Sequence, residues 1–179
     1  LPGTTSLDGA TLVAALRDVI KEFARHGVRR ICLVNGHFEN SWFIVEGIDL
    51  ALRELRWDGV NNMKVVVLSY WDFVDPATIE RLYPDGFTGW ALEHGGVLET
   101  SLMLALHPHL VALERAVDHP PAEFPPYDVY PPRPDWTPPS GTLSSPRLAS
   151  KEKGEVLLEV CTAGIVQALR TEFPAAAHT

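Results

Sequence analysis

The sequence has no excess of basic residues and no long apolar run. It carries 15 Lys and Arg against 23 Asp and Glu in 179 residues, a formal net charge of -8 at pH 7. With this excess of acidic residues, the sequence lacks the net positive charge that is typical of nucleic-acid-binding proteins. No apolar stretch approaches membrane-spanning length. We therefore expect neither nucleic acid nor a membrane as a partner.

Cysteine is also scarce, and several common enzyme motifs are missing. Cys32 and Cys161 are the only cysteines, and both lie in apolar patterns. This predicts reduced core thiols and a cytoplasmic location. The sequence has no P-loop, no Gly-x-Ser-x-Gly elbow and no dinucleotide-binding fingerprint. Cys32 lies inside a predicted strand, so it is a poor candidate nucleophile.

An initiator methionine is missing as well. The only methionines are Met63 and Met103, and the chain opens with Leu1-Pro2-Gly3. A leading Pro-Gly turn suggests that the chain enters from an earlier segment. We therefore expect a fragment of a longer protein.

Helix and strand patterns alternate along the chain. Apolar residues at helical spacing, continuous apolar runs and capping residues predict these elements in order: a helix from Thr5–Asp8 to Arg25, a strand at 30–34, a helix at 39–56, a strand at 63–70, helices at 75–83 and 97–106, and a final helix from Ser150 or Lys151 to Phe173. The strands read as buried on both faces, which is typical of parallel sheets covered by helices. The expected fold is α/β with a mostly parallel sheet.

A Pro-rich segment at 108–141 interrupts this alternation. Ten of the 15 prolines lie between Pro108 and Pro139, so a regular helix is excluded. Aromatic residues argue against disorder: Phe124, Tyr127, Tyr130 and Trp136. We expect an ordered extended arm, able to pack on a neighbouring subunit, within a single domain spanning 1–179.

The pentapeptide Asn35-Gly36-His37-Phe38-Glu39 follows the first predicted strand. His37 and Glu39 are two residues apart, so extended backbone would project both side chains to one side. An imidazole and a carboxylate at the C-terminal end of a strand suit zinc or manganese. The alternative is a loop histidine beside a glutamate that begins the next helix.

Further candidates follow the second predicted strand. Trp71 and Asp72 come directly after that strand. Trp90, Glu93 and His94 lie in a Gly-rich loop before a helix. Tryptophans can wall a pocket for a flat ligand, and a loop histidine can reach a substrate. Core packing and a solvated loop are the alternatives.

Metal-assisted hydrolysis is the reaction class that these candidates leave open, but the sequence offers too few metal ligands for it. A catalytic metal needs about three protein ligands, and His37 with Glu39 supplies two. Asp72, Glu93 and His94 could add others, or the missing ligands could precede Leu1. His107 and His109 imitate a metal pair but flank a proline at a helix end, which favours a solvated turn. Glu99 is expected to interact with its helix dipole or to support a ligand.

The sequence resembles the creatininase (creatinine amidohydrolase) family. The similarity is contiguous and covers essentially all 179 residues, with one small gap near Asp75. The segments that carry it are Asn35–Ser41, Phe43–Leu52, Leu1–Leu12, Val65–Phe73, Glu93–Leu106 and Asp118–Val129.

The resemblance implies a three-layer α/β/α fold and a homo-oligomer, typically a hexamer. It implies reversible hydrolysis of creatinine to creatine at a site with two divalent metals, zinc with manganese or a second zinc. A bridging water would attack the ring carbonyl. His37 matches a ligand of one metal and Glu39 a ligand of the other, and Glu39 could accept the proton of the water.

The resemblance also implies roles on the substrate side. His94 matches the histidine that exchanges a proton with the ring nitrogen, and Trp71 and Trp90 match tryptophans that close over the substrate. Phe38, Ala91 and Glu93 are the other positions expected to contact substrate.

Two departures bear on specificity and completeness. Phe38 stands where close relatives have tyrosine, and Ala91 stands where they have aspartate, so the preferred substrate could differ. The remaining family ligands (a Glu, a His and a bridging Asp) belong to a segment that precedes Leu1. Two alternatives therefore stay open: a related amidohydrolase acting on another cyclic or small amide, and a truncated, non-catalytic α/β domain that self-associates.

Overall fold

A computed structural model describes residues 5–131 and 133–175. Seven regular elements occur in these residues, in the order α1 (Gly9–Arg25), β1 (Arg30–Asn35), α2 (Asn40–Trp57), β2 (Lys64–Ser69), α3 (Pro76–Leu82), α4 (Val97–Leu106) and α5 (Lys151–Glu172). Single 3-10 turns lie between several of them. The described chain divides into two compact units, the first formed by residues up to Phe73 and from Ala163 onward, the second by Val74–Thr162.

The first unit is built on two parallel strands. β1 pairs with β2 in a register that runs from Arg30 opposite Lys64 to Asn35 opposite Ser69. α1 and α2 pack against each other and against one face of this pair, and the buried residues they share are Ile20, Ala24, Ile31, Ala51 and Leu55. Full burial of an isoleucine or leucine side chain stabilises a fold by roughly 1.5–3 kcal/mol. This small core therefore holds the strands in place.

A glycine allows the two helices to approach closely. A Cβ atom at Gly47 of α2 would lie 2.9 Å from the Leu16 Cβ and 3.2 Å from the Val13 carbonyl oxygen of α1. Gly47 is buried in the described structure. The helix tolerates a glycine here, despite its lower helix propensity, because the close contact needs it.

The strands are less covered than their sequence predicts. Val34 is 58% exposed and Val67 is 43% exposed, although the continuous apolar runs predict burial on both faces. Among the described residues the sheet has two strands, which leaves one edge of each strand unpaired, and these two valines are exposed to solvent. The expectation of complete burial is therefore wrong for this part of the sheet.

The second unit contains α3, α4, the first part of α5 and the Pro-rich segment. The described residues of that segment form no α-helix or strand, but three 3-10 turns occur, at Pro108–Leu110, Leu113–Arg115 and Pro134–Trp136. Its chain is fastened by backbone and side-chain hydrogen bonds: Ala122 N donates to the Leu143 carbonyl at 2.8 Å, and His119 Nε2 lies 3.0 Å from Thr142 Oγ1.

The predicted element boundaries agree with the structure to within about two residues. The predicted side-chain cap of α1 is wrong. Asp8 occupies the N-cap position, but its side chain makes no capping hydrogen bond. By contrast, the Asp75 carboxylate accepts a hydrogen bond from Thr78 N at 2.7 Å and caps α3. Cys161 is buried and Cys32 is partly buried, both as free thiols.

No helix among the described residues is both long enough and apolar enough to cross a membrane.

We expect Gly154→Ala to lower the free energy of unfolding by about 1–3 kcal/mol, the usual cost of overpacking. A Cβ atom there would overlap the Ser101 carbonyl and lie 2.8 Å from the Ala105 Cβ of α4. Urea denaturation followed by circular dichroism measures the change. Thr162→Ala, at an exposed position of the same helix, should change stability by less than about 0.5 kcal/mol. Equal stabilities for the two variants would contradict the tight α4–α5 contact.

Candidate active site

Asn35 shapes the turn that carries the first candidate residues. It is the last residue of β1 and only 4% exposed. Its Oδ1 accepts a hydrogen bond from His37 N at 3.1 Å and one from Asn40 Nδ2 at 3.4 Å. Its Nδ2 donates to Ser41 Oγ at 3.3 Å and to Ser69 Oγ at 3.5 Å. One buried amide therefore joins the ends of both strands to the start of α2.

His37 and Glu39 meet at this turn. His37 Nδ1 lies 2.8 Å from Glu39 Oε2, and the two side chains are 54% and 63% exposed. The backbone is a turn, with Glu39 in a helical conformation. The two side chains lie on the same side, as the two-residue spacing predicts. The predicted extended backbone is wrong, because a turn brings them together.

The donor atoms of this pair fit a divalent metal in their chemistry. An imidazole nitrogen and a carboxylate oxygen are donors that zinc and manganese accept. Within residues 5–131 and 133–175, however, no group of three or more His, Cys, Asp or Glu is arranged to hold a metal ion. A catalytic ion needs about three protein ligands, and the pair offers two candidate donors.

Aromatic residues follow the ends of both strands in the first unit. Phe38 is 60% exposed and packs edge-on against Trp42, with ring centroids 5.9 Å apart. Trp71 packs edge-on against Tyr70 at 4.9 Å, in the 3-10 turn that follows β2. Asp72 Oδ2 accepts a hydrogen bond from Ser69 N at 2.7 Å. Asp72 therefore holds the strand end, a role that the sequence did not indicate.

The second unit presents Trp90 and Ala91 on a short 3-10 helix, Trp90–Leu92. Trp90 is 42% exposed and packs edge-on against Phe87 at 5.2 Å, and Phe87 in turn contacts Tyr83 at 4.8 Å. These three rings help to line an open cavity of about 520 Å³.

Glu93 and His94 follow at the turn into α4. The Glu93 side chain is partly buried; its Oε1 accepts a hydrogen bond from Leu98 N at 2.5 Å and its Oε2 accepts one from the Tyr83 hydroxyl at 2.8 Å. Burial raises the pKa of Glu93, and the two hydrogen bonds act in the opposite direction. The carbonyl of His94 accepts a hydrogen bond from Leu143 N at 3.0 Å.

The remaining sequence candidates have local roles. Glu99 Oε2 accepts a hydrogen bond from Gly95 N at 2.6 Å, at the start of α4. His107 and His109 are exposed, with rings edge-on and 6.1 Å apart. The part of the chain that the structure describes places no third metal-binding side chain with them. The hydrogen bond of Glu99 at the start of α4 and the exposure of His107 and His109 agree with the helix-end and solvated-turn positions expected for these residues.

Comparison with known proteins places the chain in a family. The family model for creatininase, described as creatinine amidohydrolase, matches residues 1–169. The chain belongs to the creatininase family. A creatinine amidohydrolase of Pseudomonas putida is 69% identical over 174 residues, which are 97% of this chain and 67% of that relative. The chain therefore spans about two thirds of the relative's length.

Solved creatininase structures agree. A variant of zinc–zinc type and a manganese form are each 68% identical, with a TM-score of 0.95, and the match covers 98% of this chain and 68% of theirs. A variant in complex with creatine is also 68% identical with a TM-score of 0.95, covering 98% of this chain and 69% of its own. The α/β fold predicted from the sequence is confirmed, and it is the fold of creatininase.

We expect His37→Ala to weaken zinc binding by more than the roughly 10–100-fold that loss of an outer-shell partner costs, because a direct ligand is removed. Isothermal titration with zinc, with metal content by elemental analysis, measures this. His109→Ala, at an exposed histidine in a 3-10 turn, is the matched control and should bind like the parent. Unchanged zinc affinity in His37→Ala would remove His37 from the metal site.

Proposed function

We propose that this protein is a metal-dependent cyclic amidohydrolase that converts creatinine and water reversibly into creatine. The observation that carries the proposal is the His37–Glu39 pair, 2.8 Å apart, in a chain 69% identical to a creatinine amidohydrolase. The match to the family model extends over residues 1–169.

Two divalent ions, zinc with manganese or a second zinc, are the proposed cofactors. His37 would hold one ion and Glu39 the other, and both side chains are exposed enough to reach a ligand. When bound, such ions supply Lewis-acid polarisation of a carbonyl and a water of lowered pKa. Relatives of zinc–zinc and manganese type support this choice.

Two residues are proposed to move protons. Glu39 accepts the proton of the attacking water. Its carboxylate is exposed at the turn, next to the His37 imidazole, and a carboxylate in reach of a water can act as a general base. His94 gives a proton to the departing ring nitrogen as the amide bond breaks, and takes it back in the reverse reaction. Its backbone is held at the carbonyl by Leu143, which limits its freedom to shift.

Substrate contacts are assigned from the resemblance. Trp71 and Trp90 suit a flat ligand that contains a guanidine group, because aromatic faces attract delocalised cations. Phe38 and Ala91 lack the polar groups found at these positions in close relatives, so they are the proposed determinants of substrate preference. Glu93 was expected to contact substrate, but its two hydrogen bonds within the protein favour a different role.

Assembly and location are further parts of the proposal. A homo-oligomer, of six copies by family analogy, would cover apolar side chains that the described structure leaves exposed: Trp42, Val45 and Trp57, each at least 63% exposed. Exposed apolar surface of this kind marks protein interfaces. A cytoplasmic location is proposed from the reduced thiols of Cys32 and Cys161.

Two alternatives remain testable. A related amidohydrolase of the same fold would act on another cyclic or small amide, which the departures at Phe38 and Ala91 favour. A non-catalytic domain that self-associates would bind little metal, which the absence of a three-residue ligand group in residues 5–131 and 133–175 favours.

We expect the purified protein, supplied with zinc and manganese, to hydrolyse creatinine, and His94→Ala to retain metal while losing about 100- to 10,000-fold in kcat, the usual contribution of general acid–base catalysis. Creatine release and metal content are measured together. His26→Ala, at the exposed C-terminus of α1, is the control. Near-normal turnover by His94→Ala would exclude the proton-transfer role.

We expect Phe38→Tyr with Ala91→Asp to lower KM for creatinine about 5-fold relative to other lactams and cyclic ureas. One regained hydrogen bond to substrate is worth about 1 kcal/mol. Parallel kinetics on creatinine and on these analogues provide the measurement. If the parent chain prefers an analogue and the double variant does not change that preference, another part of the protein determines specificity.

A further inference from the structure

The backbone around His94 is held on both sides. The His94 carbonyl accepts a hydrogen bond from Leu143 N at 3.0 Å. The next residue, Gly95, donates its N–H to Glu99 Oε2 at 2.6 Å. Gly95 has φ +62, and a Cβ there would lie 2.8 Å from the Thr142 Cγ2 atom. The positive φ of Gly95 and its close approach to Thr142 therefore favour glycine at this position of the turn.

Glu93, on the other side of His94, fastens the same turn to two different elements. Its Oε1 accepts from Leu98 N, in the first turn of α4, at 2.5 Å. Its Oε2 accepts from the Tyr83 hydroxyl, just after α3, at 2.8 Å. Backbone N–H groups in the first turn of a helix lack partners within the helix. The Glu93 carboxylate is the hydrogen-bond partner of one such N–H group, that of Leu98. It also joins this helix start to Tyr83, which lies ten positions before Glu93.

The space around the carboxylate is closed on one further side. A Cβ at Gly96 would lie 2.8 Å from both Glu93 carboxylate oxygens and 2.5 Å from Ser144 Oγ. Ser144 is 5% exposed, and its hydroxyl makes no hydrogen bond in the described structure. The Glu93 carboxylate and the Ser144 hydroxyl therefore both lie beside Gly96, and they leave no room for a side chain there.

We propose that Glu93 is a positioning residue, which fixes the backbone that carries His94 by joining Leu98 to Tyr83, and that it makes no contact with substrate. This inference rests on the proposed function for the catalytic role of His94. The positioning itself is a property of the turn and is open to measurement without substrate.

The geometry favours positioning over substrate binding for a simple reason. Each carboxylate oxygen already accepts one hydrogen bond within the protein. A further lone pair remains on each oxygen, but the space beside both oxygens at Gly96 would not admit even one added carbon, and a substrate that displaced Leu98 or Tyr83 would leave a donor without a partner, which is costly. A carboxylate that recognises substrate charge should instead be open to the ligand. The two roles predict opposite kinetic effects.

Glu93→Gln separates the two roles. A glutamine can accept from Leu98 N with its amide oxygen and donate to the Tyr83 oxygen with its amide nitrogen, so positioning survives while the charge is lost. We expect kcat and KM for creatinine within about 3-fold of the parent. Glu93→Ala removes both hydrogen bonds and should lower kcat by about 100-fold, the effect of a displacement near 1 Å, with KM within about 3-fold. Glu159→Gln, at an exposed glutamate of α5, is the matched control.

Amide hydrogen exchange, measured without substrate, makes the test independent of turnover. We expect Glu93→Ala and Tyr83→Phe to speed exchange at Leu98 at least tenfold, and Glu93→Gln to leave it nearly unchanged. If the parent protein does not hydrolyse creatinine, the proposed function fails, but the exchange data still decide the positioning. A rise in KM of tenfold or more in Glu93→Gln at unchanged kcat, or unaltered Leu98 exchange in a folded Glu93→Ala or Tyr83→Phe, would overturn the proposal.

Discussion

The parallel register of β1 and β2 is the constraint on which the exposed His37–Glu39 pair depends. With Asn35 opposite Ser69, the two strands end side by side, and the chain leaves both at the same edge of the sheet. The buried Asn35 amide then needs partners, and it finds them in Ser69, in Ser41 and in the His37 backbone. A single side chain thereby converts the strand register into the course of the following turn.

A second constraint acts at the start of α4, where backbone donors and packing act together. Two carboxylates, Glu93 and Glu99, accept hydrogen bonds from Leu98 and Gly95. A negative charge at a helix N-terminus is also favoured by the helix dipole. The glycines in this turn are explained by the side chains around them, because a Cβ at Gly96 would collide with the Glu93 carboxylate. Sterics and hydrogen bonding therefore select the same conformation.

Local patterns predicted the elements but not the contacts that join them. β1, β2 and α4 follow from apolar runs and turn residues within a few positions of each boundary. The His37–Glu39 encounter was predicted from their two-residue spacing, yet the turn that produces it depends on Asn35 reaching Ser69, 34 residues away. Likewise the hydrogen bonds of Glu93 to Tyr83 and Leu98 leave no periodic signal from which the sequence could predict them. The exposure of Val34 and Val67 was missed since a local run cannot tell how many strands the sheet contains.

Burial divides the acidic residues between chemistry and structure. A contact as exposed as that between His37 and Glu39 contributes little to stability, so little free energy is lost when its atoms exchange each other for a ligand. Glu93 is in the opposite position. Hydrogen bonds to a charged group are worth about 1.5–3 kcal/mol each, and a partly buried carboxylate deprived of them would remain partly desolvated. A group with that much to lose on rearrangement suits a fixed role, whereas a pair at an exposed turn can rearrange to meet a ligand. The same residue type, glutamate, is therefore suited to ligand binding at 39 and to holding the framework at 93, and it is the surroundings of each carboxylate that make the difference.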